Sequence, residues 1–242
     1  MTNPQKTYHD FLKAEWRKLA IINYEINPDI IVKYLPDGTE LDFYKGKCYV
    51  SVVGFMFLNT KLLGLPIPFH RNFEEVNLRF YVKKYENGEW KRGVVFIKEI
   101  VPKPALSLVA NAVYKENYHT MPMKNRIHHQ DDELLIQYSW KDKSWHSIQI
   151  TAENRAKPME ADSEFEFITE HYYGFTKKEN KTSEYEVCHP KWDCYHVKDY
   201  QLEIDFQKIY GKEFKCLNDQ KPISVMLAEG SEIEVRTKKY II

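Results

Sequence analysis

The chain has 242 residues, and its 35 basic and 35 acidic side chains cancel, so it carries no electrostatic footprint for nucleic acid or an anionic lipid surface. A hydrophobic content of 43%, with 17 Tyr, 13 Phe and 5 Trp, excludes a disordered chain and supplies a sizeable core. Only 9 glycines, with no GxGxxG and no Walker-type loop, argue against phosphate-cradling turns, and no cofactor is implied.

Residues 7–19, TYHDFLKAEWRKL, place Phe11, Leu12, Trp16 and Leu19 at helical spacing and predict an amphipathic helix. This polar opening has no signal-peptide apolar run, and no segment reaches the ~20 apolar residues that cross a bilayer. The expectation is a soluble, cytoplasmic protein with no membrane partner. AIINYEI (20–26) reads as a short strand. In NPDIIVKYLP (27–36), Asn27 is a candidate N-cap, Pro28 the first helical residue and Pro36 the stop. CYVSVVGFMFLNT (48–60) is almost continuously apolar and predicts a strand covered on both faces. LLGLPIPFHRN (62–72), with two prolines, is expected to be a loop.

FEEVNLRFYVKK (73–84) is a further strand, and Asn87-Gly88 marks a hairpin into RGVVFIKEI (92–100). PALSLVANAVYKEN (104–117) predicts a helix opened by a proline. The chain then turns β-rich. DELLIQYSWKDKSWHSIQITAEN (132–154) reads as two strands around the charged turn KDKS, and EADSEFEFITE (160–170) as a short helix. HYYGFT, TSEYEVCHP and CYHVKDYQLEI read as strands, DFQKIYG as a helical turn, and ISVMLAEGSEIEVRTKKYII as a closing hairpin. With no repeat and no linker, one β-dominated domain over residues 1–242 is expected.

The strand at 73–84 has two unlike faces. Val76, Leu78, Phe80 and Val82 fall on one side, and Glu75, Asn77, Arg79 and Tyr81 on the other, because side chains alternate at period two. The polar row either turns to water or lines a cavity. Strand rise separates Glu75 from Arg79 by ~13 Å, too far to pair, so a buried row would need partners from other strands or from a ligand.

INYEINPDIIVKYLPDGTELDFYKGKCYVSVVGF, FEEVNLRFYV, and FITEHYYGFT followed by YEVCHPKW resemble, in this order, the YqjF-like family of uncharacterised bacterial proteins, which is placed with the acetoacetate decarboxylase-like superfamily. The resemblance covers nearly the whole chain. It implies an α+β fold built on a mostly antiparallel β-barrel with peripheral helices and a ligand cavity inside. It implies that Glu75, Asn77, Arg79 and Tyr81 face that cavity and bind the ligand, with His189 and Trp192 at its rim. A barrel of this kind can form a homodimer through strand edges or helices.

Acetoacetate decarboxylase forms a Schiff base on a lysine, which must be neutral to attack. The family carries adjacent lysines after a proline, just beyond a helix. Aligned on LVANAVYKENYHT, those positions fall here on Tyr118 and His119, after Asn117. The resemblance thus keeps the active-site glutamate, at Glu75, and loses the nucleophile. Tyr118 and His119 become the catalytic candidates, able to polarise a carbonyl or shuttle a proton, against a plain packing role. Lys103 and Lys115 are the nearest replacement amines, against the plainer reading of each as a solvated surface lysine. The pairs Lys83-Lys84 and Lys177-Lys178 sit beside turns and are expected in solvent.

VCHPKWDCYH holds Cys188, His189, Cys194 and His196 without zinc-ligand spacing, and RIHHQDDE reads as a charged turn, so no metal is expected. The four cysteines, with Cys48 and Cys216, are expected as reduced thiols. The functional expectation is a cavity protein for a small molecule, acting on a carbonyl or carboxylate compound, with Arg79 suited to a carboxylate. The alternative is a non-catalytic ligand-binding or interaction protein.

Overall fold

A computed structural model of the chain describes residues 10–66, 68–113, 117–178 and 181–241. Its strands are β1 (Asp10–Glu25), β2 (Glu40–Leu41), β3 (Tyr49–Leu62), β4 (Leu65–Pro66), β5 (Phe73–Glu86), β6 (Glu89–Val101), β7 (Tyr118–Thr120), β8 (Met123–Gln130), β9 (Glu133–Lys141), β10 (Trp145–Lys157), β11 (Tyr173–Lys178), β12 (Lys181–Cys188), β13 (Cys194–Glu203), β14 (Ser224–Arg236) and β15 (Lys239–Tyr240). The helices are short: α1 (Pro28–Ile31), α2 (Pro104–Val113), α3 (Glu164–Thr169) and α4 (Phe206–Tyr210). No helix among the described residues is long and apolar enough to cross a membrane.

The fold is mostly β-sheet, and all the strands belong to one sheet that meets itself. Hydrogen bonds run from β1 to β3, β5, β6, β11, β12 and β14, and β14 pairs back to β1, so these seven strands form a ring. Pairing within the ring is antiparallel except between β6 and β11. Two seams are short: Tyr173 with Gly93 and Gly174 with Val94 on one side, Val187 with Val235 and Cys188 with Glu234 on the other. From β14 the sheet continues through β13, β10 and β9 to β8. This extension lies over the outer face of β1, β3 and β5. Ala20, Ile22, Val50, Val52, Val76, Leu78 and Phe80 pack there against Leu134, Ile136, Tyr138, Trp140, Ile148 and Ile150.

The tight turn between β5 and β6 follows its sequence. Asn87 and Gly88 both have positive φ, at 55° and 88°, as a type I′ hairpin requires. α1 likewise begins at Pro28 behind Asn27, whose side chain accepts the Asp29 amide at 3.0 Å.

Of the helix predicted over 7–19, residues 7–9 lie outside the described residues, and residues 10–19 are instead the first ten of a 16-residue strand held between β3 and β14. A β-bulge explains the misleading spacing. Lys18, at φ 55°, is an extra residue between Arg17, opposite Met56, and Ala20, opposite Gly54. Alternation restarts there, so Trp16 and Leu19 line the same inner surface although three residues apart. The predicted closing hairpin is also replaced: β14 runs unbroken through Gly230, and β15 pairs with β12.

Lys84 is not solvated either. Glu184, 1% exposed, accepts from Lys84, Lys91 and Lys239 at 3.2, 2.9 and 2.7 Å. Burial opposes its ionisation, but hydrogen bonds from Lys239 and Lys91 hold its carboxyl below the usual range. This knot ties β12 to β5, β6 and β15.

Gly230 sits opposite Arg17 beside the Lys18 bulge, at φ 80°, and a Cβ there would lie 1.9 Å from the Trp16 carbonyl oxygen. Gly230→Ala is expected to lower the unfolding free energy by more than about 2 kcal/mol. Denaturant unfolding reads this as a lower midpoint, and a loss below about 0.5 kcal/mol would remove the steric argument.

Candidate functional site

Inside the ring lies a cavity of about 190 Å³. One side is aromatic. Trp16 meets Phe55, Phe57 and Trp192 edge-on at 5.3, 5.8 and 6.4 Å between ring centroids, and Phe57 stacks on Phe73 at 4.7 Å. The other side is polar, and β5 supplies most of it. Glu75, Asn77 and Arg79 all line the cavity, as alternation with Val76, Leu78 and Phe80 outside requires. Tyr81 continues this inner face as a buried support. Its hydroxyl lies 2.7 Å from Ser51 Oγ, which donates to Asn23 Oδ1 at 2.5 Å.

Glu75, 2% exposed, accepts from Asn77 Nδ2 at 2.9 Å and from the Tyr118 hydroxyl at 3.2 Å. Arg79, 9% exposed, donates to the Ile168 carbonyl at 3.4 Å and lies 5.6 Å over the Tyr81 ring. Among the described residues it makes no ion pair, and its Nε meets no hydrogen-bond acceptor. A guanidinium this buried ordinarily faces a carboxylate.

Tyr118 and His119 part company. β7 runs parallel to β6 and alternates like any strand, so Tyr118 reaches the cavity while His119 faces away and is exposed. His119 Nε2 lies 2.9 Å from Asn117 Oδ1, and desolvation together with the Lys98 charge lowers its pKa. His189 and Trp192 are on the cavity wall, stacked at 4.1 Å, and Trp192 Nε1 donates to Ser231 Oγ at 2.9 Å. Burial lowers the His189 pKa to about 4. Lys103 is off the wall, donating to the Phe69 carbonyl, and Lys115 lies outside the described residues. Among the described residues no lysine lines the cavity. Nor do any three His, Cys, Asp or Glu residues among them cluster as metal ligands, and all four cysteines are free thiols.

Two wall residues escaped the sequence reading. Glu99, 2% exposed, brings a second carboxyl to the polar side. On β6, Val94 and Phe96 face inward, and strict alternation would put Lys98 next. A bulge intervenes: Leu78 pairs with Lys98 but Arg79 with Phe96, so Ile97 is the extra residue. Lys98 therefore turns outward, to the Ile209 carbonyl, and Glu99 turns in. No signal in the sequence marks this bulge.

The other is His171, just beyond α3 in TEHYYGFT. Its Nε2 lies 3.2 Å from Asp42 Oδ2, and Arg92 Nε donates to the same oxygen at 2.7 Å. Burial opposes ionisation of Asp42, but hydrogen bonds from His171 and Arg92 keep its pKa below the ordinary value. Burial lowers the His171 pKa from 6.5 to about 4, against the pull of Asp42. The unfolded chain therefore binds protons that the folded chain refuses between these two pH values. Stability must fall on acidification through this window, by on the order of 3 kcal/mol for His171, and His189 acts in the same direction. The carboxyls of Glu86, Asp142 and Glu213, held near 2, act mainly below it. Urea unfolding of wild type and His171→Phe at about pH 7 and pH 4.5 checks this. The variant should lose less stability on acidification, and an unchanged loss would contradict the assignment.

This arrangement, a ring of strands around a part-polar cavity with a second layer outside, is the acetoacetate decarboxylase-like fold. The chain superposes over its full length, at a TM-score of 0.65 and 16% identity, on 92% of acetoacetate decarboxylase from Legionella pneumophila. An acetoacetate decarboxylase-like enzyme from Sphingomonas wittichii matches at a TM-score of 0.64 and 10% identity, over 100% of this chain and 98% of that one. The enduracididine biosynthesis enzyme MppR matches at a TM-score of 0.68 and 11% identity, over 99% and 90%. Likeness at these identities defines the fold alone. By sequence, residues 13–232 match DUF2071, a family of uncharacterized conserved proteins, and the chain belongs to that family. It is 27% identical to the uncharacterized protein YqjF of Bacillus subtilis across 186 residues, 75% of this chain and 74% of that protein.

Proposed function

We propose that the ring works as a small-molecule barrel and binds a small carboxylate in its cavity. The observation that carries this reading is Arg79: a guanidinium 9% exposed, on the cavity wall, with no ion pair among the described residues. Leaving such a charge uncompensated is costly, and a ligand carboxylate is its natural complement, in bidentate geometry. Glu75 and Asn77 on β5, with Tyr118 on β7, form the polar wall, and the aromatic side takes the ligand's apolar part. A volume of about 190 Å³ lies below the roughly 300–1,000 Å³ typical of drug-sized pockets, so the acid is small. MppR, which shares the fold, has been solved complexed with pyruvate.

Titration calorimetry with three- to six-carbon monocarboxylates tests the reading. Arg79→Met is expected to weaken binding by about 10- to 100-fold, the worth of a hydrogen-bonded charge pair. The same substitution should leave the folded state as stable or more so, because it removes a buried charge that lacks an ion-pair partner. Unchanged affinity, or equal binding of uncharged amides of the same shape, would defeat the proposal. Borohydride reduction with an oxo acid is expected to leave the intact mass unchanged, since Tyr118 and His119 stand where the lysine pair would fall. A stoichiometric adduct would instead place a Schiff-base lysine at the site.

A further inference from the structure

His171 carries a nitrogen that the polar wall does not use. Nε2 faces Asp42, and an ionised carboxylate can only accept, so Nε2 holds the hydrogen and the neutral ring presents a lone pair at Nδ1. Nδ1 is buried and meets no hydrogen-bond donor, on a side chain 1% exposed that belongs to the cavity wall. Buried acceptors are rarely left empty, because each one forfeits a hydrogen bond it would have in water. The ring's burial and its low pKa, about 4, keep the lone pair available near neutral pH.

Arg79 stands beside it. Its guanidinium donates to Ile168, at the end of α3, three residues before His171. Guanidinium and imidazole approach the same Tyr81 ring, at 5.6 and 4.8 Å. A carboxylate on Arg79 therefore brings its neighbouring carbons toward the imidazole.

Resting on the carboxylate reading above, we infer that Nδ1 of His171 accepts a hydrogen bond from the ligand, and that the ligand is a carboxylate bearing a hydroxyl or enol group. A keto oxygen at that place would set lone pair against lone pair. A hydroxyl supplies the missing donor.

Titration calorimetry on the purified full chain with butyrate, 2-oxobutyrate, 2-hydroxybutyrate and 3-hydroxybutyrate decides the matter. At least one hydroxy acid should bind about tenfold tighter than both butyrate and 2-oxobutyrate. His171→Phe should abolish that preference, so that the variant binds the hydroxy acids no tighter than it binds butyrate. Equal binding of all four acids to wild type overturns the inference and leaves the Arg79 reading standing. Asn77 Oδ1, also on the wall, is another acceptor without a donor among the described residues, so it is one competitor. A preference that survives His171→Phe and vanishes in Asn77→Val would move the contact there and overturn the inference. Binding of none of the acids would remove both readings. Nitrogen-15 NMR of histidine-labelled protein tests the premise without ligand or variant. A bare, pyridine-type Nδ1 is expected for His171 near neutral pH, and a protonated Nδ1 overturns the inference.

Discussion

Ionised groups on a strand buried on both faces cost stability wherever they lack a partner, and β5 is such a strand. Its apolar row, Val76, Leu78, Phe80 and Val82, fills the space between ring and outer layer. Its polar row faces the cavity rather than bulk solvent, and three of its four members draw on another element, while Asn77 bonds to Glu75 on the same strand. Glu75 reaches Tyr118 on β7, Tyr81 reaches Ser51 on β3, and Arg79 reaches the carbonyl of Ile168 in α3. The same need recurs one strand away, where Asp42 collects Arg92 and His171. The peripheral pieces β7 and α3 are thus fixed to the ring by the polar groups they satisfy, as well as by packing.

Three irregularities decide what the cavity contains. The extra residue Lys18 in β1 puts Trp16 and Leu19 on one surface, and the extra residue Ile97 in β6 exchanges Lys98 for Glu99 on the wall. Asn59, at φ 54°, is the corresponding extra residue on β3, between Leu58 and Lys61. Each is a shift of one position in one strand, and each changes which chemistry faces inward. The second matters most: without it a lysine, rather than a carboxylate, would point into the site.

Much of this was legible in the chain. The alternation in FEEVNLRFYV separated a polar row from an apolar one and left the polar row between solvent and cavity until the resemblance favoured the cavity; the two-sided apolar run of β3 identified a covered strand, and Asn87-Gly88 identified a turn. What remained hidden was hidden for physical reasons. Helical spacing at Phe11, Leu12, Trp16 and Leu19 mimicked a helix because a bulge interrupts period two, and pairing on both sides overrode local preference. His119 looked like a partner for Tyr118, but neighbours on a strand face opposite ways. His171 could not be found at all, since its significance lies in Asp42, 129 positions away, and in the burial of one nitrogen. Lys84 looked solvated because nothing local reveals Glu184.

The ring is sewn unevenly. The β11–β12 hairpin joins β6 and β14 through the two short seams alone, while every other junction in the ring is longer. Fewest backbone bonds hold it, so local opening costs least there. Yet it contributes Tyr173, Tyr185 and Val187 to the cavity wall, and on β12 Glu184 fastens it through three lysines. What the seams lack in backbone pairing, the ion pairs of Glu184 supply. Because Glu184 is 1% exposed and Lys84 and Lys91 are largely buried, salt screens this fastening little, and the hairpin stays tied to the ring at ionic strengths that weaken exposed surface pairs.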